Sequence, residues 1–304
     1  MSSAETYEIL PPTREGRVPL SGGETWYRIT GDLGSGVTPL VIAHGGPGAT
    51  HQYLLSLTAL AAGRPVIHYD QLGCGNSTHL PDADPSYWTV ELFLDELDNL
   101  LEHLGIADDY HLLGQSWGGM LSAEHAVRRP AGLRRLVISN SPASMPLWLE
   151  AAALLRAGLP AEVEKTLREH EEAETTNSAE YAGAMKVFYD RHVCRVVPNP
   201  PEVAAAFASI EEDPTVYHTM NGPSEFHVVG SLMDWTIVDR LPRIAVPTLV
   251  VSGAYDEAQP VCVSPYAELI PDARWQVFAE SSHLPNVEEP ERYAAVVESF
   301  LRGG

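Results

Sequence analysis

Five short apolar runs, each ending in glycine or a small polar residue, constrain the fold of this chain more than any other feature. They are PLVIAHGG (39–46), PVIHYDQLG (65–73), YHLLGQS (110–116), LRRLVISNS (133–141) and PTLVVSG (247–253). They are rich in Val, Ile and Leu and do not alternate with polar residues, as expected of strands covered on both faces in a parallel sheet. Helical patterns lie between them. Phe93, Leu97, Leu100, Leu101 and Leu104 recur at helical spacing, and Gly105 supplies a stop. Pro290 suits the first turn of a last helix whose apolar stripe is Tyr293, Val296, Val297, Phe300 and Leu301. The expectation is an α/β fold with a mostly parallel central sheet flanked by helices.

The alternation lapses between residues 144 and 232, where the pattern turns helical and carries the acidic stretch EHEEAETTNSAEY (169–181). This predicts a helical cap at 144–232 inserted into a core formed by 1–143 and 233–304. A chain of 304 residues suffices for one such domain. The formal net charge of −22 argues against a nucleic-acid partner, whose phosphates it would repel. No apolar run approaches the ~20 residues of a membrane helix. The N-terminal MSSAETYEILPPTREGR lacks a basic-then-apolar signal, so a cytoplasmic protein is expected. Cys74, Cys194 and Cys262 are far apart and form no CxxC pair, which suits free structural thiols. The twelve histidines make no HExxH pattern, so neither metal nor cofactor is expected.

The stretch LLGQSWGGM (112–120) holds Gly114-Gln115-Ser116-Trp117-Gly118, a G-x-S-x-G pattern between a predicted strand and a predicted helix. That context forces a sharp turn which presents Ser116 as a nucleophile, with glycines two residues either side allowing close packing. A serine hydroxyl needs a base to take its proton. In the α/β-hydrolase order the acid and then the histidine follow the serine. Asp256 follows the PTLVVSG strand, and His283 is the only histidine after it. The oxyanion formed on acyl attack requires N–H donors already in place. Trp117, at the start of a helix, supplies one; the loop HGGPG (44–48) supplies the other, from Gly46 or, alternatively, Gly45.

HGGPG (44–48), DQLGCGNS (70–77), GQSWGG (114–119) and YDE (255–257) together resemble the proline iminopeptidase family of serine aminopeptidases, α/β-hydrolases with a helical cap. VYHTMNGPSEF (216–226) resembles the branch that includes the archaeal tricorn-associated aminopeptidase and amino-acid amidases. The resemblance implies that a free substrate amine is held by Glu225 in GPSEF and Glu257 in YDE, with Tyr217 nearby. Asp256 would then orient His283 while its neighbour Glu257 faces the ammonium group. An ammonium leaving water for a covered cleft needs counter-charge, and two carboxylates that repel each other are relieved by a cation between them. The substrate implied is a short peptide or aminoacyl amide with a free N-terminus and proline favoured. An amino-acid amidase or a general esterase or lactonase of the same fold is the alternative. Asp70 and Gln71 read as architecture beside the oxyanion loop, and Trp117, Phe226 and Trp235 as the apolar lining around the first residue.

Overall fold

Residues 7–304 are described by the computed structural model. Eight strands form one sheet: β1 (Arg14–Leu20), β2 (Gly23–Thr30), β3 (Leu40–Ala43), β4 (Val66–Asp70), β5 (Tyr110–Gln115), β6 (Leu133–Ser139), β7 (Thr248–Gly253) and β8 (Ala273–Phe278). Their spatial order is β1-β2-β4-β3-β5-β6-β7-β8. β1 pairs antiparallel with β2 and β2 antiparallel with β4, while the pairings from β4 to β8 are parallel. The α/β expectation holds, and the matched apolar runs are the central strands.

Successive side chains of a strand point to opposite faces, and the core divides accordingly. Val41 and Ala43 of β3, Leu112 of β5 and Leu136 and Ile138 of β6 join one apolar cluster. Leu40 and Ile42, Leu113 and Val137 join the other. Helices α1 (Val90–His103) and α2 (Trp117–Val127) cover the first face; α8 (Pro260–Leu269) packs there too. The short α9 (Pro285–Glu288) and the C-terminal α10 (Pro290–Leu301) cover the second, with a 3-10 segment at His51–Ala62. Among the described residues no helix is long and apolar enough to cross a membrane.

Between β6 and β7 run five helices: α3 (Met145–Ala157), α4 (Ala161–Glu172), α5 (Ala179–His192), α6 (Pro201–Glu212) and α7 (Thr215–Met220). Leu167, Tyr181, Phe188 and Phe226 belong to a third apolar cluster within this segment. The chain leaves β3 for β4 on one side and then crosses to β5 on the other. Such a switch in strand order opens a crevice at the carboxyl ends of the strands, where ligands of α/β proteins bind. The loops after β3 and β5, which carry HGGPG and Ser116, both lie there.

Candidate active site

Ser116 sits between the end of β5 and the first residue of α2 with φ 56° and ψ −123°, a conformation that L-residues rarely adopt. Two glycines permit it. A Cβ on Gly114 would lie 1.9 Å from the Gly118 carbonyl oxygen, and one on Gly118 would lie 2.1 Å from that of Ala43. Strand, turn and helix therefore approach more closely than any side chain allows. The Ser116 N–H is tied to the Ser139 carbonyl of the neighbouring strand at 2.9 Å.

The loops after β7 and β8 bring Asp256 to His283. The imidazole Nδ1 donates to Asp256 Oδ1 at 2.8 Å. The same oxygen accepts from the Ala258 N–H at 2.8 Å, and Oδ2 accepts from Asn140 Nδ2 at 2.6 Å and the Gly253 N–H at 3.3 Å. Asp256 is fully buried, and these donors replace the water it has lost. Ser116 and His283 line one cavity together with Gly46, Glu225 and Glu257. Among the described residues no hydrogen bond joins Ser116 Oγ to His283; the imidazole Nε2 lies 3.7 Å from Glu257 Oε1.

The loop after β3 separates the two possible oxyanion donors. Gly45 donates its N–H to the Tyr53 hydroxyl at 2.6 Å, and that hydroxyl donates to Gln115 Oε1 at 2.5 Å. Gly46 turns through φ 111°, and its N–H has no acceptor among the described residues. Trp117 opens α2, where an N–H has no intrahelical acceptor. Behind this loop, burial lowers the His44 pKa to about 4. The neutral ring donates from Nδ1 to the Gly45 carbonyl and accepts at Nε2 from the Gln71 N–H. Gln71 Oε1 in turn accepts from Trp117 Nε1 at 2.8 Å. Asp70 accepts from the His51 ring and backbone and from Asn76. Burial raises its pKa, but His51 and the other donors outweigh that and bring it to about 2. Gln71 thus ties His44 to Trp117, while Asp70 anchors His51 and Asn76.

Glu257 and Glu225 line the same cavity, one from the loop after β7 and one from the segment after α7. Tyr217 of α7 donates its hydroxyl to Glu225 Oε1 at 2.7 Å, and the Glu225 backbone is held by the Tyr189 hydroxyl and by Trp148 Nε1. Glu257 is only 2% exposed, yet neither carboxyl oxygen has a hydrogen-bond partner among the described residues. Burial, then the charges of Glu225 and Asp256, push its pKa well above the usual range. Burial also raises Glu225, against the opposing pull of Tyr217 and His283.

Ser116 also borders a smaller cavity walled by Trp117, Met120, Pro142, Met145, Trp148 and Leu232. Trp117 is thus in the expected lining, but Phe226 and Trp235 are not. Phe226 packs against Phe188 in the helical segment, and Trp235 donates to Glu124. Trp148 takes the place assigned to them, with its ring against His283 at 6.0 Å between centroids. Sequence reasoning also missed Asn140, whose only local signal is an Asn after a strand, and Tyr53, which has none. No group of three or more His, Cys, Asp or Glu among the described residues is arranged to hold a metal ion.

A family model for the alpha/beta hydrolase fold matches residues 38–290. A proline iminopeptidase from Heyndrickxia coagulans is 37% identical over 94% of this chain and 98% of its own. The crystal structure of VinJ superposes with a TM-score of 0.95 at 59% identity, covering 96% of this chain and 99% of that one. That of a proline iminopeptidase from Mycobacterium smegmatis gives 0.88 at 52% identity, covering 95% and 98%. The chain belongs to the proline iminopeptidase family of α/β hydrolases.

Proposed function

We propose that this protein is a serine aminopeptidase that releases the N-terminal residue, proline favoured, from short peptides and aminoacyl amides. The observation that carries this reading is the pair of carboxyls, buried Glu257 and half-buried Glu225, on the same cavity as Ser116 and His283. A general esterase has no use for two acids there, whereas a substrate ammonium pairs with both.

In this reading His283 Nε2 takes the Ser116 proton as Oγ attacks the carbonyl carbon of the first residue. The tetrahedral oxyanion is held by the N–H groups of Gly46 and Trp117, each worth about 10²–10³ in rate. His283 returns the proton to the leaving nitrogen, the C–N bond breaks, and the shortened peptide departs. Water then attacks the acyl-enzyme, again giving its proton to His283, which restores Ser116 and frees the amino acid. Asp256 keeps the imidazole tautomer and orientation. Tyr217 holds Glu225 in place.

The compact cavity beside Met120, Met145 and Trp148 suits a small first residue such as proline or alanine. Residues 144–232 act as a cap over the carboxyl ends of the strands and supply Tyr217 and Glu225. A wider cleft bordered by Tyr189, Phe207, Ile210 and Glu225 offers the leaving chain a path outward.

Turnover of prolyl, alanyl and leucyl p-nitroanilides tests this directly. Release of p-nitroaniline, fastest for prolyl, is expected, with a loss of at least about 10³-fold in S116A or H283A. Failure to cleave any aminoacyl anilide, or turnover that survives S116A, contradicts the reading.

A further inference from the structure

One loop sets two carboxyls against one imidazole. Asp256 Oδ1 lies 2.8 Å from His283 Nδ1, and Oε1 of the adjoining Glu257 lies 3.7 Å from His283 Nε2. Nε2 is the nitrogen that has to accept the Ser116 proton. Asp256 has three other donors around it, as described above. Glu257 has no hydrogen-bond partner among the described residues, so Nε2 is the nearest basic group to a buried, unpartnered acid.

We infer that Glu257 is a brake on His283 which the substrate's own amine releases. This rests on the reading that the amine sits between Glu225 and Glu257. Without a cation, a carboxyl buried beside an imidazole is relieved in two ways, by keeping its own proton or by pairing with imidazolium. Once a side-chain rotation closes the 3.7 Å gap, both place one proton between Glu257 and Nε2, as O–H facing N or as carboxylate facing N–H. In either form the Nε2 lone pair is engaged, and Ser116 has no base. An ammonium between the glutamates becomes their counter-charge and favours ionised Glu257. The displaced proton goes to solvent or, where the amine arrives neutral, onto the amine itself. His283 is then neutral with Nε2 free, so the amine raises the rate of the acyl step as well as the affinity.

The groups facing the imidazole are few. The loop after β7 gives Asp256 and Glu257, and the segment after α7 gives Glu225, whose acid is also affected by His283. The elbow gives Ser116, and α3 gives the uncharged Trp148 ring. His192, at the end of α5, accepts the backbone N–H groups of Glu257 and His283 with its carbonyl, while its ring turns to the Tyr255 carbonyl. The pair can therefore be relieved by a cation entering the cavity.

The test uses a neutral alkyl fluorophosphonate, which phosphonylates Ser116 only when His283 takes its proton, and which carries no amine. Added ethylammonium should accelerate inactivation of the wild-type protein at neutral pH by about tenfold. Ethanol, of similar size and uncharged, should not. E257Q should react at least as fast as the ethylammonium-treated wild type and should not respond to the cation. No acceleration of the wild type, equal acceleration by ethanol, or an equal response in E257Q overturns the inference. The wild-type arm requires no variant to fold. Alanyl and N-acetylalanyl p-nitroanilides assayed alongside separate the two claims: a loss on acetylation without ethylammonium activation removes only the brake, and no loss on acetylation removes the amine-binding reading with it.

Discussion

Asp256 and Glu257 show how much one peptide bond can divide. Asp256 is enclosed by donors from β7, from its own loop and from Asn140, so its carboxylate is fixed on Nδ1 of His283. Glu257 faces the cavity with nothing in the protein to satisfy it. N140A removes a hydrogen bond to a buried carboxylate, worth roughly 1.5–3 kcal/mol. Because that bond only orients the acid, kcat for prolyl p-nitroanilide should fall about 10- to 100-fold with KM nearly unchanged. An unchanged kcat would show that the backbone donors suffice. Gly46 after β3, Ser116 after β5, Asp256 and Glu257 after β7 and His283 after β8 stood out in the sequence because each lies in a short motif at a strand end, and Glu225 stood out in GPSEF after α7. Asn140, Tyr53 and Trp148 did not, since each acts through a partner more than fifty residues away in the chain.

At the scale of elements, burial decided what could be read. β3 to β7 are mostly covered on both faces and show as runs rich in Val, Ile and Leu. β1 and β2 form a hairpin at the sheet edge, and β1, with the sequence REGRVPL, is largely exposed, so no comparable signal marks it. In the helical segment the pattern gave helices but not their packing, which is why Trp148 of α3 was overlooked in favour of Phe226 and Trp235. Trp148 bounds the small cavity and its Nε1 anchors the Glu225 carbonyl. W148A should therefore enlarge that cavity and loosen Glu225. The kcat/KM ratio of leucyl to alanyl p-nitroanilide should rise about tenfold, as expected for a few methylenes in an apolar site, while both absolute values fall. A ratio that stays constant places the first side chain elsewhere.

For the molecule as a whole, buried acids and a large negative charge shape stability and encounter. Glu96 of α1 is fully buried; its Oε1 accepts from Thr25 and from the Leu72 N–H, and Oε2 has no partner among the described residues. Burial is the main reason its pKa rises from 4.5 to about 8. The folded state thus holds a proton that the unfolded chain releases above pH 4.5, so its contribution is full below that value and is lost as pH rises towards 8. Wild-type stability should fall over this window by a few kcal/mol, on the order expected from the shift. In E96Q that slope should flatten, which denaturant unfolding at several pH values will measure; an equal slope in both proteins assigns the dependence to other groups. The net charge of −22 should also draw cationic substrates inward. Raising salt to about 0.5 M should lower kcat/KM for alanyl p-nitroanilide several-fold by screening, with little effect on a neutral ester; equal sensitivity would deny the steering.

The comparison of kcat/KM for prolyl and alanyl p-nitroanilides with their N-acetylated counterparts bears most directly on the paired glutamates. Acetylation leaves Glu225 and Glu257 without a cation, at a cost of roughly 3–5 kcal/mol, or a few hundred-fold and more. That loss is the expected result, and it should shrink in the E225Q/E257Q double variant. Equal turnover of the free and acetylated anilides by the wild-type protein would contradict the account and leave an acyl hydrolase indifferent to the amine.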